Sequence, residues 1–116
     1  MMAAMPTDVV LVSADLLLGS RLRAALRGTA AVTMVPTGTE VPVVGTVFVD
    51  LNADVDDRLR VIARLHDRGG VRVIGFCQHD QRKLRIRAMA EGADQVVTNG
   101  ALQEAALRLV GAGSHG

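Results

Sequence analysis

The feature that most limits the fold is Val9-Val-Leu-Val12, an apolar run with no polar break, bounded by Asp8 and Ser13. A strand with this pattern is buried on both faces, which points to a parallel sheet covered by helices on either side. The pattern recurs at Ala31 to Pro36, at Thr46-Val-Phe-Val-Asp50, at Val71 to Phe76 and, more briefly, at Asp94 to Val97.

Helical periodicity fills most of the intervals. Asp15 is placed to cap a helix whose apolar stripe is Leu18, Leu22, Ala25 and Leu26, with Gly28 at its stop. A second helix has Asp54, Asp56 and Asp57 near its start, Arg64 and Arg68 near its end, and Gly69-Gly70 beyond. Its expected buried stripe is Leu59, Ile62, Ala63 and His66. Asp80 is placed to cap a helix running to Glu91, with Gly92 at its stop, and a last helix carries Leu102, Ala105, Ala106 and Leu109 on one face. Residues 37–45, with Gly38, Pro42 and Gly45, leave room for at most a turn of helix. Strands and helices alternating at this spacing predict right-handed crossovers and one α/β domain over 8–110, a doubly wound five-stranded parallel sheet of order 2-1-3-4-5. Its second helix is reduced or absent. Residues 1–7 and 111–116 are expected to be flexible tails.

Composition narrows the function classes. A chain of 116 residues that is 49% apolar and 22% charged suits one globular domain. No stretch approaches the roughly 20 apolar residues that span a bilayer, so no membrane association is expected. The aromatics are Phe48 and Phe76 alone, which removes base-stacking platforms and argues against sequence-specific nucleic-acid recognition. The formal net charge of +1 is a cancellation: residues 1–57 hold 3 basic and 7 acidic residues, residues 58–116 hold 10 and 5. A single cysteine, Cys77, cannot form an internal disulfide, and the first residues lack the pattern of a secretory signal, so a cytoplasmic location is expected.

In a sheet of this order the functional crevice lies outside the carboxyl ends of the strands, near the switch point between the first and third. The residues placed there are Ser13, Ala14 and Asp15, then Asp50 to Asn52, then Cys77 to His79, and finally Thr98 and Asn99. Cys77 and His79, two apart, raise the prospect of a metal or small-ligand site, although no second cysteine or metal-spaced histidine accompanies them. Gly111-Ala-Gly-Ser-His-Gly116 fits the spacing of a dinucleotide fingerprint. It lacks the preceding strand and following helix that such a site requires.

The layout resembles the receiver domain of bacterial response regulators, a flavodoxin-like fold. The resemblance is carried by Val9-Val-Leu-Val-Ser-Ala-Asp15, Val47-Phe-Val-Asp-Leu51 and Ala88-Met-Ala-Glu-Gly-Ala-Asp-Gln-Val-Val-Thr98. It implies that Asp50 is equivalent to the family's phosphoacceptor. The family's metal-holding acidic pair falls on Ser13 and Ala14, its hydroxyl residue on Cys77, its lysine on Asn99 and its switch aromatic on Val96. Phosphoryl transfer needs acids to hold Mg²⁺ and a cation to offset charge on the transferring group. The expectation is therefore a degenerate, stand-alone receiver-like protein, not an enzyme and without a cofactor, acting in signalling by contact with a protein partner or with itself. An alternative keeps Asp50 as acceptor, with Asp15 and Asp50 as the only acids available to Mg²⁺. The expected partner surface is the basic helix with Arg82, Lys83, Arg85, Arg87 and Met89, and a homodimer is one form that such contact could take.

Overall fold

The computed structural model describes residues 8–37, 41–42, 44–78 and 81–113. Among them run five strands, β1 (Val9–Val12), β2 (Val32–Val35), β3 (Thr46–Asp50), β4 (Arg72–Cys77) and β5 (Gln95–Thr98). All neighbours pair in parallel in the order β2-β1-β3-β4-β5, as the alternation of strand and helix predicts. The helices are α1 (Leu16–Ala25), α2 (Val55–Arg68), α3 (Arg82–Glu91) and α4 (Leu102–Gly113), the last preceded by a 3₁₀ turn over Asn99–Ala101.

The unbroken apolar run of β1 has a direct cause. Val10 and Val12 point into one core with Val47, Val49, Leu59, Ile62 and Leu65, while Val9 and Leu11 point into another with Leu22, Leu26, Phe48, Ile74 and Phe76. Both faces are dry, so neither set of alternating positions admits a polar residue. Glycine is required at Gly92, the C-cap of α3, where φ is +119° and a Cβ would collide with the His66 side chain.

Several local expectations need correction. The buried stripe of α2 is Arg58, Leu59, Val61, Ile62 and Leu65; Ala63 is half-buried and His66 is exposed. The helix is rotated toward the sheet by about one residue relative to the expected stripe, which still leaves His66 over Gly92. β4 and β5 each lie one residue later than expected. Gln81, not Asp80, stands at the N-cap of α3, and Asp80 lies outside the described residues. α4 continues through Gly113, because glycine lowers helix propensity without forbidding a last turn.

No helix forms among the described residues between β2 and β3. Val41 and Val44 instead pack on the core beside Val35, and the Val41 carbonyl accepts from Arg68 Nη1 at 3.1 Å. The flank expected to lie open is thus partly covered by the chain's own connection.

A buried cation completes this region. Arg58 is only 2% exposed and faces the strand ends from α2. Its Nη1 donates to the carbonyls of Val12 at 3.2 Å and Asp50 at 2.9 Å, and its Nη2 donates to Pro36 at 3.1 Å. Asp54, 4.0 Å away, is exposed and supplies little compensation. Arg58→Met should therefore lower the urea-derived unfolding free energy by about 3 kcal/mol, since it strands buried acceptors. Arg58→Lys should recover only part of that loss, and hydrogen exchange should quicken at residues 32–36. Gly92→Ala should cost about 2 kcal/mol through its backbone angle and the contact with His66, read from the same unfolding curves.

Candidate functional site

β1 and β3 are neighbours in the sheet, and the chain leaves them toward opposite edges, so their carboxyl ends form the switch-point crevice. Two short polar turns line it. After β1, Ser13 Oγ accepts from the Asp15 amide at 3.1 Å; after β3, Asp50 Oδ1 accepts from the Asn52 amide at 2.8 Å. Each is a side chain bonding the backbone two residues on, the local geometry that Ser and Asp favour at strand exits.

Asp50 is 5% exposed, and both of its carboxylate oxygens are engaged. Oδ2 accepts from Ser13 Oγ at 2.6 Å, and Oδ1 accepts from Asn52 Nδ2 at 2.7 Å in addition to the Asn52 amide. Its backbone carbonyl is held by Arg58.

Asn52 extends the network across the sheet. Its Oδ1 accepts from the Gln78 amide at 2.6 Å and from Asn99 Nδ2 at 3.3 Å, and its Nδ2 donates to Asn99 Oδ1 at 3.1 Å. One amide side chain thereby joins the exits of β3, β4 and β5.

The structure brings together Ser13, Asp50, Asn52 and Asn99 from the expected crevice set. Thr98 closes β5 beside them, half-buried. Asp15 is exposed and caps α1, its Oδ1 accepting from the Leu18 amide at 3.1 Å, as its spacing from the apolar stripe predicts. Cys77 does not stand in an exit loop. It ends β4, is 3% exposed, belongs to the core that also holds Leu84 and Ala88, and is in no disulfide. The cause is the one-residue extension of β4 beyond Phe76. His79 lies outside the described residues, and among those described no three His, Cys, Asp or Glu residues form a metal-ligating group.

On α3, Arg82, Lys83, Arg85, Arg87 and Met89 are all exposed, and Arg87 Nη2 is paired with Asp56 at 3.2 Å. Sequence reasoning assigned no role to Arg58. The available signal was its spacing from Ile62 and Leu65, which places it on the buried face of α2.

No protein-family model matches the sequence. No curated protein matches it either. Solved structures do. The receiver domain of the TMAO respiratory system response regulator TorR superposes with a TM-score of 0.77 at 23% identity, covering 88% of this chain and 92% of that one. A response regulator receiver protein from Burkholderia phymatum gives 0.70 at 24% identity, over 90% and 94%. The BeF3-activated DrrB receiver domain gives 0.74 at 15% identity, over 87% and 94%. With the strand order and switch-point crevice already described, these matches establish that the chain has the receiver-domain fold of response regulators.

Proposed function

We propose that this chain is a receiver-fold signalling domain that acts by protein contact, and that Asp50 holds the crevice together rather than accepting a phosphoryl group. The observation that carries the proposal is the saturation of the Asp50 carboxylate by Ser13 and Asn52 in a site that is 5% exposed. Attack on a phosphodonor would require one of these oxygens to leave its partners, with no group nearby to offset the charge that arrives.

The donor set also suits Mg²⁺ poorly. That ion takes octahedral oxygen ligands and is usually bound through one or two carboxylates and waters. The positions equivalent to the metal-holding acids are a hydroxyl and a methyl, Ser13 and Ala14, and Asp15 is engaged at the end of α1. At the lysine-equivalent position, Asn99 offers an amide that meets Asn52 and carries no charge. Val96 and Cys77, in place of the switch aromatic and hydroxyl, leave no side chains of the kind that couple the crevice to the α3 face.

Contact with a partner is then the remaining use of the scaffold, and the exposed basic face of α3 is its best-marked surface. A cytoplasmic setting accords with the lone cysteine, and no described helix is long and apolar enough to cross a membrane. The rival reading, a phosphorylatable regulator, is favoured by the place of Asp50 at the end of β3 beside the switch point.

Two measurements separate these readings. Incubation with acetyl phosphate and Mg²⁺ should leave the intact mass unchanged; a phosphate adduct that disappears in Asp50→Asn would establish the rival. Asp50→Ala should lower stability by about 2 kcal/mol, because it abandons the donors of Ser13 and Asn52 in a buried site. An unchanged urea midpoint would remove the structural role.

A further inference from the structure

The outward face of α3 has a chemistry that its fold does not require. Leu84 and Ala88 are its buried residues, and Ile86 lies about 200° round the helix from Leu84, so it points away from the sheet. Ile86 is 56% exposed and Met89, one turn on, is 46% exposed. Exposed Arg82 and Lys83 flank them, and the only acid within the helix is Glu91 in its last position. A β-branched residue in the middle of a solvent face adds nothing to helix propensity. The fourth cation of the helix, Arg87, is already paired with Asp56, so the charge offered outward is chiefly that of Arg82 and Lys83.

We propose that this face binds an acidic amphipathic segment of another protein, with Ile86 and Met89 as apolar anchors and Arg82 and Lys83 as the charged rim. The proposal rests on the contact reading above and names the partner's chemistry. An apolar centre with a charged rim is the anatomy of a protein contact, and rim charges select for the opposite sign.

A second copy of this chain fits the face poorly. A two-fold contact sets the same patch against itself, which would bring the cations of one α3 against those of the other. A lipid surface fits poorly as well, because an interfacial helix needs a broad apolar face, whereas here two side chains stand out.

The test is fluorescence anisotropy with a synthetic helical peptide carrying leucine on one stripe and glutamate on the rest. Its controls are the same peptide with lysine for glutamate, and vesicles of phosphatidylserine and phosphatidylcholine. The wild-type chain should bind the acidic peptide and neither control. Ile86→Ser and the double variant Arg82→Glu with Lys83→Glu should each weaken binding about tenfold, with unchanged circular dichroism, since all three positions are exposed. Sedimentation velocity should show a monomer at all salt concentrations.

Failure to bind the acidic peptide, preferential binding to vesicles, or self-association abolished by the double variant would each overturn the proposal. A phosphate adduct on Asp50 would instead overturn the contact reading while leaving this binding result intact.

Discussion

Arg58 is the interaction on which the crevice end of the sheet depends. A guanidinium 2% exposed sits beneath the strand ends and binds the carbonyls of Val12, Asp50 and Pro36. Those carbonyls belong to the ends of β1 and β3 and to the exit of β2, the part of the sheet where a covering helix is missing. A planar fork with several fixed donors suits this task, and a lysine ammonium does not reproduce it. The desolvation cost of burying such a charge is met by carbonyl dipoles rather than by a buried carboxylate, so loss of any strand end from the fork would leave the cation undersatisfied. Val41 and Val44 then supply the apolar cover that the missing helix would have given.

Above that floor the crevice is a closed polar network. Ser13, Asp50, Asn52, Gln78 and Asn99 exchange hydrogen bonds of 2.6 to 3.3 Å, and they link the exits of β1, β3, β4 and β5. Such networks rigidify when their members are satisfied, because in a low-dielectric site each lost bond is costly. A switch needs a second arrangement of similar energy that a ligand favours. Here the carboxylate, the hydroxyl and both amides have partners within the same set, and this supports a static role for the crevice and a working role for α3.

How much of this could be read from the residues follows from how local each interaction is. The strands were legible because burial on both faces leaves an unbroken apolar run, as in Val9 to Val12. Asp15 was legible as a cap because its partner, the Leu18 amide, is three residues away. Arg58 was not, because its acceptors are 46, 8 and 22 residues distant and are backbone carbonyls, which carry no sequence signature. The Asn52–Asn99 pair spans 47 residues and was visible only as two polar residues assigned to one crevice. The errors were equally physical. His66 shares the helical period of the buried stripe but lies at its edge, and a one-residue extension of β4 carried Cys77 out of the exit loop and into the core.

The central claim is that the crevice is a fixed structural network uncoupled from the surface of α3. The most direct measurement is a ¹H–¹⁵N correlation spectrum recorded before and after addition of Mg²⁺ and beryllofluoride, a phosphoryl analogue. The account predicts that the amides of Asn52, Gln78 and Asn99 stay in place and that those of Arg82 to Glu91 do not move. Saturable shifts at the crevice together with shifts along α3 would contradict it.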